Sequence, residues 1–308
     1  MKGHGITVAV RCAGERTEAV CRALVESQLG RDCVVVVREV PFHAAVQRCL
    51  ELGIERHARW LVCVDGDVLA RKGAITGLLG AMGKAPANTF MLQARIIDKL
   101  WGGPKDGGIR VYRGELLGEA QRSLPCEGAP TLRPEATMIA AMRKKGYGYV
   151  QLPSISGLHD YEQYYRDLYR KVRGHLQKHG DYVNLLLPYW RREAHSDPDF
   201  AVTLEAATES SPTVYGEFLR VEPNSKPHAQ MPWMLHNGSE KGALSDRAVD
   251  MAWIEKTIAD HQVPPEYADC ERLAGQRKRW DQVPYPLRIA HELWNRLFRQ
   301  LQSRGRVR

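Results

Sequence analysis

The feature that most constrains the fold is an alternation of short apolar runs with amphipathic segments over the first 64 residues. The runs ITVAVR (6–11), CVVVV (33–37) and WLVCV (60–64) are rich in β-branched residues and too short for helices. Between them, residues 16–30 and 42–54 carry apolar side chains at spacings of three and four, which indicates helices. This order predicts βαβ units and therefore a parallel sheet with helices on both faces.

Two carboxylates follow the third predicted strand directly. Asp65 and Asp67 flank Gly66, and an open α/β sheet binds its ligands at the carboxyl ends of its strands. Like charges this close repel unless a cation or a donor neutralises them. Mg²⁺ or Mn²⁺ would do so, because such ions take one or two protein carboxylates and fill their other positions with water and phosphate oxygens. An Asp-Gly surface turn is the alternative, and the position after a core strand favours a ligand site.

Composition excludes several functional classes. The chain of 308 residues is long enough for one large domain plus an appendage, and no apolar run reaches the roughly 20 residues of a membrane span. The net charge of +8 does not indicate nucleic-acid binding, because ten Lys or Arg against three Asp or Glu lie in residues 270–308 and the rest is nearly neutral. The seven Cys form no CxxC pair, as in proteins of a reducing compartment. We therefore expect a cytoplasmic protein that binds no nucleic acid.

The stretch from ITVAVR to VCVDGDVLARKGAI resembles the nucleotide-sugar glycosyltransferases of the GT-A fold, broadly in the manner of family two. The resemblance covers about the first 180 residues. In that family an Asp-x-Asp motif holds a divalent metal and the donor's diphosphate, which implies that Asp65 and Asp67 bind the metal and that Mn²⁺ or Mg²⁺ is the cofactor. It also implies that Arg11, Glu39, Asp65 and Arg113 contact the nucleotide donor.

A later segment, RPEATMIAAMRKKGYGYVQL (133–152), extends the resemblance as a helix followed by a strand. The family's helix opens with an acidic residue near the anomeric carbon of the sugar. The resemblance therefore implies that Glu135 takes the acceptor's proton in an inverting transfer. The alternative is an acidic residue that is favoured only by the dipole at the start of a helix.

His159 lies in a predicted loop that leads into a helix reaching residue 180. Several relatives return a histidine to the metal or the diphosphate at this place, and Arg166 or Lys171 could meet a phosphate there. The alternative is a solvated loop histidine. The glycine-rich residues 101–108 predict either a mobile loop that closes over the donor or a surface turn.

Beyond residue 180 the pattern weakens. We expect a catalytic domain over residues 1–180 and a smaller, mainly helical appendage over residues 181–308. Residues 246–261 and 286–308 predict helices, and the second has an apolar stripe surrounded by arginines. Such a stripe usually packs on the protein's own core, and the alternative is a peripheral anchor on the anionic inner face of a membrane.

The sequence therefore predicts an α/β protein with a GT-A-like, Rossmann-type mixed sheet, helices on both faces and a helical appendage. The predicted function is metal-dependent transfer of a sugar from a nucleoside diphosphate sugar to a glycan, lipid-linked or protein acceptor, with inversion favoured over retention. Two other classes stay open. One is a nucleotidyltransferase acting on a sugar phosphate, which the single glycine in VRCAGERTEA disfavours; the other is a non-catalytic binding module of the same fold.

Overall fold

The computed structural model describes residues 5–129, 131, 133–208, 240–245 and 249–280, and for residues 177–182 and 273–280 it describes the backbone alone. The first part of the chain folds as the alternation predicts. Its elements are β1 (Ile6–Arg11), α1 (Glu18–Leu29), β2 (Val34–Val37), α2 (Phe42–Glu55) and β3 (Trp60–Asp65).

The elements that follow complete the sheet and add helices beside it. They are β4 (Val68–Ala70), α3 (Ala74–Lys84), β5 (Thr89–Asp98), β6 (Gly103–Arg113), α4 (Leu117–Ser123), α5 (Pro134–Lys144), β7 (Gly148–His159), α6 (Tyr165–Glu193), α7 (Pro198–Thr208), α8 (Met251–Asp260) and α9 (Pro265–Trp280). Short 3₁₀ helices at Arg31–Cys33 and Gly114–Leu116 precede β2 and α4.

Seven strands form one sheet in the order β2-β1-β3-β6-β5-β7-β4. Strand β1 is parallel to β2 and β3, and β5 is parallel to β7. Strand β6 runs antiparallel to β3 and β5, and β4 runs antiparallel to β7. The sheet is therefore mixed, and the predicted class of a GT-A-like, Rossmann-type α/β fold is confirmed.

Alternate residues of the central strands face two separate cores. Val8 and Val62 lie in the core that contains α1 and α3, whereas Ala9 and Cys63 lie in the core that contains α2, α4 and α5. Helices thus cover both faces. Because side chains alternate along a strand, Arg11 and Asp65, which are partners in the β1–β3 register, share a face with Ala9 and Cys63.

Two segments that the sequence predicted as loops are strands. Residues 103–108 belong to β6 and residues 154–159 belong to β7. The glycines in these segments allow close packing rather than mobility: a Cβ on Gly157 would overlap the carbonyl oxygen of Leu69 in the neighbouring strand. The loop predictions are wrong because a close approach between strands needs glycine as much as a turn does.

Helix α6 continues through residue 180, where the sequence suggested a domain boundary. Its later part shares an apolar cluster with α7 and α9, which includes Trp190, Phe200 and Cys270. The indole Nε1 of Trp190 also donates a hydrogen bond of 2.6 Å to the carbonyl oxygen of Leu100, at the end of β5. The division into two units stays a prediction.

The predicted helix 246–261 corresponds to α8, which begins after Asp250, whose carboxylate caps it by accepting from the backbone N–H of Trp253 at 2.7 Å. The predicted helix at residues 286–308 lies outside the described residues. Among the helices that are described, none is both long enough and apolar enough to cross a membrane. All seven cysteines are free; Cys126 is exposed and the others are buried.

Candidate functional site

The turn that separates Asp65 from Asp67 is held by three neighbouring elements. The backbone N–H of Gly66 donates to the carbonyl oxygen of Arg11 at 2.8 Å, and the hydroxyl of Thr17 donates to the carbonyl oxygen of Gly66 at 2.8 Å. Strand β4, which follows the turn, pairs with the end of β7 so that Val68 lies opposite His159. This pairing brings Asp67 next to His159, although 91 residues of chain lie between them.

Asp67, His159 and Asp160 form what we call the carboxylate–imidazole cluster. Each offers one ligand atom, and the three atoms lie within 4.8 Å of one another. Oδ1 of Asp67 is buried, accepts no hydrogen bond from the described residues and lies 3.5 Å from Nε2 of His159. Carboxylate oxygens with an imidazole nitrogen are a ligand set that a divalent ion such as Mn²⁺ accepts. The donor set therefore fits the metal that the resemblance implies.

Three further charged side chains surround this cluster. The ammonium group of Lys171, from α6, lies 2.5 Å from Oδ2 of Asp67 and also bonds Asp160. Oδ2 of Asp98 lies 2.7 Å from Nδ1 of His159, and Lys105 pairs with the same carboxylate. Together with the cluster, these residues form the buried charge network.

His159 is cationic in this network. Burial lowers the pKa of its imidazole, but the carboxylates of Asp160 and then Asp67 outweigh that effect and raise the pKa to about 9. Nδ1 of His159 lies 2.9 Å from Oδ2 of Asp160 and thus has two carboxylates beside it. A metal bound through His159 must therefore displace a proton from the ring.

Asp65 belongs to a second group, which we call the arginine clamp and which comprises Arg11, Asp65, Arg110, Tyr112 and Glu135. Nε of Arg11 donates to Oδ1 of Asp65 at 2.8 Å, and Nη1 of Arg11 donates to Oε1 of Glu135 at 2.8 Å. Nη1 of Arg110 lies 3.2 Å from Oε2 of Glu135, and the hydroxyl of Tyr112 donates to Oε1 at 2.6 Å. The two carboxylates that flank Gly66 thus have different partners, and Asp65 is not part of the carboxylate–imidazole cluster.

Glu135 is buried within the clamp, with 5% of its surface exposed. Burial alone would raise its pKa, but the guanidinium groups of Arg11 and Arg110 outweigh burial and lower the pKa to about 2. A carboxylate with so low a pKa is a weak proton acceptor near neutral pH. Its predicted role as the general base stays a prediction.

Glu39 lies on the surface just after β2, at the same edge of the sheet as Arg11 and Asp65. The apolar side chains next to it, Val40 and Phe42, are 42% and 47% exposed. The Arg11 guanidinium lies 5.1 Å from the centre of the Phe42 ring. The predicted donor residues Arg11, Glu39 and Asp65 therefore lie at one edge of the sheet, where Arg11 is buried and Glu39 is exposed.

Arg113 does not lie there. It pairs with Trp60, which begins β3, whereas Asp65 ends that strand. Its guanidinium packs 5.1 Å from the Trp60 ring, and its Nε donates to the carbonyl oxygen of Thr89 at 2.9 Å. The arginine of β6 that reaches the site is Arg110.

The sequence interpretation missed Asp98, Asp160, Arg110 and Glu15. The alternation of side chains along β6 places Arg110 on the same face as Tyr112, which was the available signal. Oε2 of Glu15 accepts from the backbone N–H of Ala13 at 2.6 Å. Burial and, next, the charge of Asp67 raise the pKa of Glu15 to about 7. No sequence pattern marks Asp98, which enters the site through strand pairing alone.

Neither a protein-family model nor a curated protein sequence matches this chain. Solved structures that are similar include a glycosyltransferase involved in the glycosylation of the major capsid of PBCV-1, at 14% identity and a TM-score of 0.35 over 48% of this chain and 81% of that one. Glucosyl-3-phosphoglycerate synthase from Mycobacterium tuberculosis, with Mn²⁺, uridine diphosphate and phosphoglyceric acid, is 15% identical over 52% and 72%, with a TM-score of 0.35. CMP:2-keto-3-deoxy-manno-octonic acid synthetase with CTP is 11% identical over 49% and 90%, with a TM-score of 0.35. These likenesses to nucleotide-sugar transferases and nucleotidyltransferases concern the fold alone.

Proposed function

We propose that this chain is a glycosyltransferase that moves a sugar from a nucleoside diphosphate sugar to an acceptor with the help of a divalent metal. The observation that carries the proposal is the carboxylate–imidazole cluster at the end of β3. There, Asp67 presents a buried oxygen with no hydrogen-bond partner among the described residues beside His159 and Asp160. Nε2 of His159 lies 3.5 Å from this oxygen without hydrogen-bonding it, which leaves the oxygen available to a cation.

In this proposal Asp67, His159 and Asp160 hold Mn²⁺ or Mg²⁺. The ion would neutralise the charge that develops on the leaving diphosphate. Asp65, whose side chain is 28% exposed, is oriented by Arg11 and can accept a hydrogen bond from a hydroxyl group of the donor. The two aspartates thus have separate tasks, one toward the metal and one toward the donor.

The exposed residues after β2 provide a surface for the donor's base. Phe42 offers an aromatic face next to Arg11, and a nucleobase stacks favourably on such a face whatever its identity. Glu39 lies along the chain between the end of β2 and Phe42, is exposed, and can accept hydrogen bonds from the ribose or the base. In this proposal the base lies on one side of Asp65.

The acceptor's hydroxyl needs a base in an inverting transfer. Glu135 is the residue that the resemblance implies. Glu15 is the alternative, because a carboxyl pKa of about 7 suits a general base that works near neutral pH. In either case the carboxylate must take the proton while the diphosphate leaves from the opposite side of the sugar.

The basic stretch at residues 286–308 lies outside the described residues, and for it we propose peripheral binding to anionic lipid. Arginines around an apolar stripe favour binding to an anionic lipid surface. This association would bring the transferase to a lipid-linked acceptor.

The test compares Asp67→Asn with Asp65→Asn. Electron paramagnetic resonance counts bound Mn²⁺, and thermal shift with a panel of nucleoside diphosphates measures donor binding. We expect Asp67→Asn to bind Mn²⁺ at least about tenfold more weakly and to lose metal-dependent stabilisation by the diphosphate. Asp65→Asn is the matched control, which should keep Mn²⁺ binding and lose affinity for the nucleotide.

Unchanged Mn²⁺-dependent affinity for a diphosphate in a folded Asp67→Asn protein would overturn the assignment. Absence of metal-dependent stabilisation by any nucleoside diphosphate in the unaltered protein would favour the binding module instead. Release of the free sugar or its transfer, rather than release of pyrophosphate from a nucleoside triphosphate, separates the glycosyltransferase from a nucleotidyltransferase.

A further inference from the structure

Lys171 lies between two of the three residues that would hold the metal. Its ammonium group is 2.5 Å from Oδ2 of Asp67 and also bonds Oδ1 of Asp160. The side chains of Lys171 and Asp160 are 17% and 0% exposed. A positive charge bonded to two buried carboxylates takes the place that a divalent ion would need.

The carboxylates of the buried network already have cationic partners among its own lysines. The carboxylates of Asp67 and Asp160 both pair with the ammonium group of Lys171, and the carboxylate of Asp98 pairs with that of Lys105. A divalent ion bound by Asp67 and Asp160 would lie next to the ammonium group of Lys171 and repel it. Because the network is buried, water and salt screen that repulsion only weakly. The ion and the ammonium group therefore compete for the same two carboxylates.

We propose that Lys171 is an internal cation that occupies Asp67 and Asp160 until a divalent metal and a diphosphate arrive together. The inference rests on the proposed function, since it concerns how that same metal site is filled. Lysine suits this task because its charge is compact and its stem is flexible, so that the ammonium group can leave without movement of α6.

Once displaced, the ammonium group needs another anion. A diphosphate bound beside the metal supplies phosphate oxygens, which form strong bonds with an ammonium group. The metal and the diphosphate then both favour the arrangement in which Lys171 has left Asp67. Two ligands that favour the same arrangement bind with positive coupling, in which each raises the affinity for the other by the same factor.

The experiment measures Mn²⁺ binding by electron paramagnetic resonance, with and without inorganic pyrophosphate, and corrects for the Mn²⁺ that pyrophosphate binds in solution. The variants are Lys171→Met and Lys105→Met. The second is the matched control, because it removes the same charge from the same network but from a lysine that pairs with Asp98. Lys171→Arg retains a cation at the site, and Lys171→Gln, which keeps a donor for Asp160, replaces Lys171→Met if that variant fails to fold.

In the unaltered protein we expect weak binding of Mn²⁺ alone and an affinity at least about tenfold higher with pyrophosphate. Lys171→Met should bind Mn²⁺ alone at least about tenfold more tightly than the unaltered protein, with little further gain from pyrophosphate. Lys105→Met and Lys171→Arg should both keep the coupling.

The inference is overturned if the Mn²⁺ affinity of Lys171→Met stays within about twofold of that of the unaltered protein, or if Lys105→Met raises the Mn²⁺ affinity as much as Lys171→Met does. Either result leaves the metal site standing. Absence of Mn²⁺ binding in every variant, including folded Lys171→Met, refutes the metal site itself and with it the proposed function. The two failures are therefore distinguishable.

Discussion

At the scale of single residues, the arginine clamp shows how neighbours set the chemistry of a carboxylate. Glu135 and Glu15 are both largely shielded from water, and burial raises the pKa of a carboxylate in either place. Arg11 and Arg110 reverse that effect for Glu135, whereas Asp67 strengthens it for Glu15. The two glutamates therefore differ in charge over much of the acidic and neutral range.

The stability of the protein should depend on Glu135 most strongly near neutral pH. A carboxylate whose pKa falls from 4.5 to about 2 on folding contributes about 3 kcal/mol above pH ~4.5, and this contribution is lost as the pH falls toward 2. Urea unfolding should therefore show that Glu135→Gln has a much lower free energy of unfolding than the unaltered protein at neutral pH, and that this difference becomes smaller in acid. Glu119→Gln, at a half-buried carboxylate that pairs with the exposed side chains of Arg122 and Lys145, is the control and should change little. A loss of unfolding free energy that is equal at neutral and at acid pH would contradict the low pKa that the clamp gives Glu135.

The turnover of Glu135→Gln and of Glu15→Gln identifies the general base. If Glu135 is the base, folded Glu135→Gln should keep metal-dependent donor binding while sugar transfer falls by about 10²–10⁴-fold. If Glu15 is the base, Glu15→Gln should show that fall, and the activity of the unaltered protein should rise with a pKa near that of Glu15, which is about 7. Transfer rates over a pH series for both variants separate the cases. Full activity in both would exclude these two carboxylates.

At the scale of elements, the short strand β4 determines where Asp67 lies. It pairs with β7 at a point where Gly157 leaves no room for a side chain, so Gly157→Ala should lower the free energy of unfolding by about 1–3 kcal/mol and weaken Mn²⁺ binding. Gly77→Ala in α3 is the matched control, because no atom outside its own helix lies within 4 Å of the added Cβ. That change should stabilise the protein by about 0.5–1 kcal/mol. Chemical denaturation of both variants, together with Mn²⁺ titration, checks the pair.

The elements that the sequence predicted best are those whose pattern repeats within a few residues. Strands β1, β2 and β3 and helices α1 and α2 have their own periodicity, so they were predicted to within a residue or two. The end of β7 was predicted as a loop because its serines and glycine carry no strand pattern of their own, and its pairing with β4 and β5 depends on distant residues.

The site was predictable to a similar extent. The motif position predicts Asp67 and the resemblance predicts His159 as metal ligands, and strand pairing brings the two side chains together, while their roles stay predictions. The separation of Asp65 from Asp67 depends on Arg11 and Arg110, whose ion pairs follow from the register of β1, β3 and β6 rather than from any local pattern. For the same reason no local pattern marks Arg110 as the arginine of β6 that reaches the clamp, and the donor contact predicted for Arg113 stays a prediction.

At the scale of the whole molecule, the basic surplus lies in residues 270–308, and the test of its role is truncation after Tyr285. If residues 286–308 anchor the protein, the shortened chain should stay folded, keep Mn²⁺-dependent nucleotide binding and lose salt-sensitive association with anionic vesicles. Flotation with anionic and neutral vesicles at low and high salt, with circular dichroism as the control for folding, makes the comparison. A truncated chain that aggregates or unfolds would instead indicate a helix that belongs to the core, and the membrane proposal would be withdrawn.

Because Cys126 is exposed and the other six cysteines are buried, the native protein has one position for chemical labelling of a thiol. Thiols react as thiolates. Burial raises the pKa of the Cys12 and Cys21 thiols, which keeps them protonated, and it also keeps reagents away from them. Cys126 is exposed and lies between α4 and α5, the helix whose first turn contains Glu135. A maleimide dye or spin label should therefore attach at this one position without any substitution elsewhere. The label would report on the face of the sheet that α2, α4 and α5 cover in the unaltered chain.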